Sequence, residues 1–433
     1  MYICDNITGG PGGELYFAGV SVRTLAEKYG TPLYLMDEDR IRENIRMYRD
    51  AVREHFGSGS GVLYAGKAAC FRHIYRIMAD EGAGIDVVSA GEAATALGAG
   101  YDLAGAFFHG NAKTDEEIAF ALEKGVGYFV CDCEEELCAL EKAAGERGMK
   151  QKILLRITPG IDPHTYDQVA TGKVDSKFGS AVATGRAEEM TRLALGMPHL
   201  SLKGYHCHVG SQVFTEDVFE RSAEIMLRFM ADMRDKLGFT AEVLDLGGGF
   251  GVRYVKEDPV PDIPGRIASL ARTVKECCGE LSLEVPRVFL EPGRSIVADA
   301  GMTVYTVMSV KRIPGYRTYV AVDGGMGDNP RYALYGSKYT CLSAEASGSG
   351  SMMKCDLVGR YCESGDILAR DIVLSGDIKR GDIIAVYTTG AYNYSMASDY
   401  NRVPRPPVVM LKGKESFVAV RRESFDDLMR LDV

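Results

Sequence analysis

Short apolar runs that stop abruptly on a polar residue recur through the first two thirds of the chain. Val62-Leu63-Tyr64-Ala65 runs into Gly66-Lys67, Gly84-Ile85 into Asp86, Ala106-Phe107-Phe108 into His109, and Tyr128-Phe129-Val130 into Cys131. Ile153-Leu154-Leu155 meets Arg156, a further run ends at His206 and His208, another at Leu246 before Gly247-Gly248-Gly249, and Val288-Phe289-Leu290 meets Glu291. Runs of this length rich in β-branched and aromatic residues predict strands, and helical stretches separate them. Eight strands alternating with helices predict a (β/α)8 barrel of TIM type, whose chemistry sits at the C-terminal ends of its strands.

The first five ends lie 19 to 25 residues apart, room for one strand, one helix and two short loops; later gaps widen to 40 to 50. The excess after the fifth strand, residues 159–180, includes His164, Tyr166, Lys177 and Phe178 and is too long for mere connection. It reads as a lid or wall of the site. Upstream, Asp37 as a cap and Ile41, Ile45 and Tyr48 at helical spacing predict a first helix from Asp37 to about Glu54. Beyond about residue 295 the pattern becomes β-branched alternation without helices, as in residues 302–310, 319–323, 383–387 and 408–411. That predicts an all-β second domain, antiparallel and sandwich-like or Greek-key-like. The expected division is a barrel over 36–295 and a discontinuous β domain from 1–35 and 296–433, the latter contributing to the substrate site and to a dimer interface.

Composition narrows the function classes. With 46% hydrophobic and 25% charged residues the chain is an ordinary globular protein. A net charge of -10 without a long Lys/Arg run excludes the clustered basic surface that nucleic-acid binding requires. No apolar stretch is long enough to span a bilayer and the first residues lack a secretory pattern, so no membrane partner and a cytoplasmic location are expected. Eleven scattered cysteines without a CxxC pair read as free thiols in a reducing compartment. Cys131, Cys133 and Cys138 lack a fourth ligand, and no metal is expected.

The strand ends carry the chemistry. Lys67 offers an amine, and the backbone N–H groups of Gly247, Gly248 and Gly249 can approach an anion where barrels commonly bind phosphate, although three glycines also suit a plain turn. Glu291-Pro292-Gly293-Arg294 adds a carboxylate and a guanidinium, which an ordinary ion pair would also explain. An amine, a phosphate cradle and an opposed carboxylate together describe a site for pyridoxal 5'-phosphate. His206 and His208 alternate with Cys207 and so share a strand face; a ring stacked on an aromatic cofactor, with Ser211 donating to phosphate, suits them better than a metal. In the β domain Cys362 stands beside Glu363, Arg331 and Tyr335 share a face if their segment is helical, and Tyr392 adds a phenol.

In order and spacing these motifs resemble the fold-type III pyridoxal phosphate-dependent decarboxylases, nearly end to end. Tyr64-Ala-Gly-Lys67, Asp86-Val-Val-Ser-Ala-Gly-Glu92, His109-Gly-Asn-Ala-Lys113, His206-Cys-His-Val-Gly-Ser-Gln212, Gly247-Gly-Gly-Phe-Gly251 and Glu291-Pro-Gly-Arg294 carry the likeness. The resemblance implies that Lys67 bonds the cofactor covalently, His208 stacks on its ring and Glu291 pairs with the pyridine nitrogen. Asp86 and Gly293 belong to the same cofactor set, and Ser211, the three glycines, Arg294 and Tyr392 surround the phosphate. It further implies a homodimer with shared sites, in which Cys362 of one subunit protonates the product of the other.

A small amino acid is the implied substrate, and the branch acting on meso-diaminopimelate fits best. A second amino-acid centre needs cations for its carboxylate, here Arg294, Arg331 and Tyr335 with Tyr392 nearby, and an acid for its ammonium, here Glu363. Ornithine, lysine or arginine decarboxylation and a catalytically silent regulatory homologue are the alternatives. Three positions depart from the family pattern: Tyr332 follows Arg331, Tyr166 replaces a frequent histidine, and Gly66 precedes the lysine.

Overall fold

The computed structural model describes residues 2–161, 174–215, 217–345 and 350–433. The chain divides into two compact units, one from Asn44–Gly251 and Pro261–Gly293, the other from Met1–Glu43, Val252–Val260 and Arg294–Val433.

The first unit is a closed parallel barrel. Its strands are β1 (Gly61–Ala65), β2 (Gly84–Val87), β3 (Ala106–Phe108), β4 (Tyr128–Cys131), β5 (Gln151–Thr158), β6 (Leu200–His206), β7 (Val243–Asp245) and β8 (Arg287–Leu290). Each pairs in parallel with the next in chain order, and β8 pairs with β1 to close the ring. Strands covered on both faces need no polar alternation, which is why they read as apolar runs. Leu63, Phe107, Val130, Leu154 and Val243 pack together as one apolar layer, with Tyr128 and Phe289 against it.

The pleat then places the chemistry. Side chains at i and i+2 share a face, so the residues two positions beyond this layer, His109, Asp132, Arg156, Asp245 and Glu291, form the next one, joined by Asp86 and His206. All but Arg156 are at least nine-tenths buried. Cys131, the expected fourth strand end, has the opposite parity and Asp132 takes the inward place. Burial holds the Cys131 thiol in its neutral form, its pKa well above the usual range. The first helix runs Glu38–Phe56, with Asp37 accepting from the Arg40 N–H (3.2 Å) and Ile41, Ile45 and Tyr48 fully buried.

In the second unit the strand Gly301–Ile313 organises the sheet. Its first half pairs with Leu33–Asp37 on one side and Ile383–Tyr387 on the other, and its second half with Arg317–Val322. Alternate residues on these strands, Leu33, Leu35, Met302, Val304, Ala385, Tyr387, Val409 and Leu411, form the core. The sheet is mixed rather than antiparallel: Leu33–Asp37 runs parallel to Val408–Lys412, and Arg317–Val322 parallel to Met352–Val358. Alternation reports which face is buried and carries no strand direction, and strands joined through distant parts of the chain need not form hairpins. Val252–Val260, inside the stretch expected to be barrel, belongs to this unit.

Candidate active site

The barrel layer centres on Glu291. His206 donates from Nε2 to Glu291 Oε2 at 3.1 Å, and His109 Nε2 lies 2.6 Å from Oε1, close but poorly aligned for a hydrogen bond. Burial pushes His206 down to about 3, so the ring is neutral and its Nε2 proton is fixed by the carboxylate it faces. Although burial works against its charge, Glu291 is held well below the usual carboxylate range by the two histidines. Asp245 shows the reverse: burial, then the neighbouring Glu291 charge, push it well above that range. One of this buried pair is ionised and the other neutral, and Glu291 carries the charge.

Lys67 sits on the 3-10 turn Gly66–Ala68 that ends β1. Its Nζ is 3.5 Å from Asp86 Oδ2, while its side chain remains 42% exposed and able to reach a ligand. The turn explains Gly66, since a Cβ there would lie 2.4 Å from Tyr75 Oη and 3.2 Å from Asp86 O. Glu92, beside the same aspartate, is pushed up to about 7 by burial, with the Asp86 charge adding to the effect. His208 accepts at Nδ1 from the Gly248 N–H at 3.1 Å. Its remaining proton is therefore on Nε2, and burial, then Lys67, keep the ring neutral.

The triple glycine also meets a packing demand. A Cβ at Gly247 would lie 2.6 Å from Cys207 O, at Gly248 2.0 Å from Glu291 O, and at Gly249 2.1 Å from Gly210 O. Three strand ends converge here, and only glycine lets their backbones meet. The Gly247 N–H goes to Asp245 Oδ1 (2.9 Å) and that of Gly248 to His208, so two of the three donors are committed within the protein. Gly293 is similar, its Cβ position lying 2.9 Å from Ala65 Cβ. Ser211 is partly buried in the turn after β6.

The barrel residues fit pyridoxal phosphate on their own terms. Glu291 Oε1 and both Asp86 oxygens are buried without an aligned hydrogen bond, and an ionised carboxylate with a spare oxygen is what a pyridine N–H requires. His109, His206 and Glu291 also bring ligand atoms within 4.8 Å of one another, a spacing a metal could use. Here both Nε2 atoms already face the carboxylate.

The second unit holds an arginine cluster built around a residue the sequence reading passed over. Arg331 starts the short helix Arg331–Tyr335, which puts Tyr335 one turn away as expected. Tyr254 Oη accepts from Arg294 Nη1 at 2.6 Å and from Arg331 Nη1 at 3.0 Å. Arg331 Nη1 also donates to Tyr339 Oη at 2.8 Å, and Arg294 lies 4.7 Å over the Tyr392 ring. Burial opposes ionisation of Tyr254, yet the two guanidiniums bring its pKa below that of an ordinary tyrosine.

Cys362 and Glu363 are both exposed, and Cys362 is a free thiol. The Cys362 N–H donates to Asn401 Oδ1 at 2.8 Å, and Tyr400 Oη donates to Glu363 Oε2 at 3.1 Å. After β5, Gly179 N–H donates to Asp132 Oδ1 (2.9 Å) and Arg156 lies 4.3 Å from the Phe178 ring centre. His164 and Tyr166 of that loop lie outside the described residues.

Over residues 38–298 the chain matches the pyridoxal binding domain of the pyridoxal-dependent decarboxylases. It is 43% identical over 421 residues to diaminopimelate decarboxylase of Bacillus subtilis (strain 168), covering 97% of this chain and 95% of that one. To the protein of that name from Staphylococcus aureus (strain COL) it is 40% identical, with 96% and 97% covered. Among solved structures, diaminopimelate decarboxylase from M. jannaschii in complex with L-lysine aligns with a TM-score of 0.91 at 33% identity, over 100% of this chain and 99% of that one. The Helicobacter pylori enzyme with L-lysine aligns at 0.86 and 32%, over 95% and 98%.

Proposed function

The chain belongs to the pyridoxal-dependent decarboxylases, and from that premise we propose that it converts meso-2,6-diaminopimelate to L-lysine and carbon dioxide, the last step of bacterial lysine biosynthesis. The observation that carries the choice of substrate is Arg331: a guanidinium 7% exposed, with no carboxylate within 4 Å among the described residues. A buried cation without a counter-ion is costly. A substrate ending in a bare ammonium would leave it so, whereas the distal carboxylate of diaminopimelate supplies the charge.

When bound, pyridoxal phosphate supplies an electron sink for the pair released as the bond from Cα to the departing carboxylate breaks. Lys67 is the covalent anchor, positioned by Asp86. Glu291, kept ionised by His206 and His109, accepts the hydrogen bond of a protonated pyridine nitrogen. His208, neutral and fixed as the Nε2–H tautomer, packs on the ring without adding charge. Ser211, Gly249, Gly293, Arg294 and Tyr392 serve the phosphate; Gly247 and Gly248 shape the turn with their N–H groups spent. Arg294, Arg331 and Tyr335, with Tyr392 nearby, take the distal carboxylate, and Glu363 the distal ammonium. Cys362 delivers a proton to Cα after carbon dioxide leaves.

The exposure of Cys362 and Glu363 supports a homodimer in which each subunit completes the site of its partner. All eleven cysteines are free thiols, and among the described residues no helix is long and apolar enough to cross a membrane. Both support a cytoplasmic place. Carbon dioxide release from meso-diaminopimelate, measured against lysine and ornithine, tests the proposal. Equal or faster release from lysine or ornithine would refute it.

A further inference from the structure

We propose that Tyr254 is a positioning residue for the distal carboxylate of the substrate, its phenol oxygen joining Arg294 and Arg331 into a single anion-binding unit. The inference rests on the substrate reading above and deepens it. A phenol oxygen has two acceptor sites and one proton to give. Both acceptor sites of Tyr254 are filled by guanidinium N–H groups, and among the described residues no acceptor receives its own proton. The charged and titratable groups facing the oxygen are Arg294, Arg331 and, edge-on with ring centres 5.3 Å apart, Tyr339. Two guanidiniums donate to this oxygen and no acid is among the groups facing it, so its proton is lost more easily than that of an ordinary phenol although burial opposes the charge.

The backbone is set for this role. Asp258 Oδ2 accepts from the Tyr254 N–H (2.8 Å) and Val255 N–H (3.1 Å), and Thr340 Oγ1 donates to Tyr254 O (2.9 Å). On Arg331, Nη1 is spent on the two phenols, while Nε and Nη2 have no acceptor among the described residues. That free edge is the planar two-donor fork that grips a carboxylate bidentately. Charge agrees with geometry: the phenol oxygen holds two guanidiniums, and the free edge of Arg331 faces no carboxylate among the described residues.

The first test uses the protein without cofactor. An absorbance titration near 295 nm, wild type minus Tyr254→Phe, should show one tyrosinate with a midpoint below about 10, the ordinary value. Arg331→Gln should move that midpoint upward. With cofactor, Tyr254→Phe should raise KM for meso-diaminopimelate about 10-fold or more, the loss of a charge-assisted hydrogen bond, with a much smaller change in kcat. Should Tyr254→Phe not fold, the wild-type titration against Arg331→Gln decides the bridge. A midpoint at or above 10, or an unchanged KM, overturns the proposal. Wild-type protein that shows the tyrosinate but does not turn over meso-diaminopimelate would instead overturn the substrate reading and confine Tyr254 to bridging the arginines.

Discussion

Adding one methyl group at Gly66 should displace the turn that presents Lys67. The ideal Cβ would lie 2.4 Å from Tyr75 Oη, about an ångström inside ordinary contact. Tyr75 is fully buried and its hydroxyl already rests 3.5 Å from Cys70 Sγ, so it has no room to swing aside. Gly66 does not use the left-handed region, so the backbone accepts alanine and the steric effect stands alone. Overpacking costs about 1–3 kcal/mol, while the smaller unfolded-state entropy of alanine returns about 0.4–1 kcal/mol. Gly66→Ala should therefore destabilise by roughly 1–2 kcal/mol and lower the fraction of protein that captures cofactor. Tyr75→Phe removes the clashing atom, after which the nearest neighbours are Asp86 O and Glu92 Oε2, both at 3.2 Å. The double variant should recover about 1 kcal/mol or more relative to additivity, well beyond the roughly 0.3–0.5 kcal/mol within which independent sites add. Urea midpoints of the four proteins, with the visible cofactor band read alongside, make the measurement. A Gly66→Ala protein as stable as wild type, or a double variant that is simply additive, would refute the reasoning.

Lys67→Ala should lose turnover by orders of magnitude, and borohydride reduction should no longer fix cofactor to the peptide containing residue 67; trapping elsewhere would remove the anchor assignment. Cys362→Ala should slow turnover while leaving cofactor bound, and mixing it with Lys67→Ala should restore activity through heterodimers with one complete site; no recovery on mixing would argue against shared sites. For Glu92 the sign follows from its raised pKa. The unfolded chain releases this proton near 4.5 and the folded chain near 7, so stability falls as pH rises between those values and then levels. Glu92→Gln should remove that falling component, on the order of 3 kcal/mol across the window, visible as a shallower loss of melting temperature from pH 5 to 7; an unchanged slope would place the proton elsewhere.

The barrel was legible because strands buried on both faces announce themselves as apolar runs, and the polar residues that stop those runs lie at the chemical end. Parity at the last residue was not. Cys131 and Asp132 are adjacent and both buried, and only the pleat, read back from Val130 in the apolar layer, puts Asp132 inward. In the second unit alternation located the strands, yet direction depends on where the chain enters the sheet, which local pattern does not encode. Tyr254 escaped for a related reason: it lies in a nine-residue stretch with no periodicity, and its two arginines are 40 and 77 residues away.

The glycine run carries a packing constraint that its sequence does not display. From sequence, three glycines after a barrel strand suggested backbone donors freed for an anion. In the fold, each glycine is required because a Cβ would strike a carbonyl oxygen of a neighbouring strand end at 2.0–2.6 Å, and two of the three N–H groups serve Asp245 and His208. The Gly248 N–H fixes the tautomer of His208, and the Gly247 N–H is given to Asp245, the neutral partner of the Glu291 charge. The run thus acts first on two buried side chains, Asp245 and His208, through backbone N–H groups. Any anion held by this loop must draw its remaining donors from Gly249 and from side chains such as Ser211, so Ser211→Ala should weaken phosphate capture more than an intact three-donor cradle would allow.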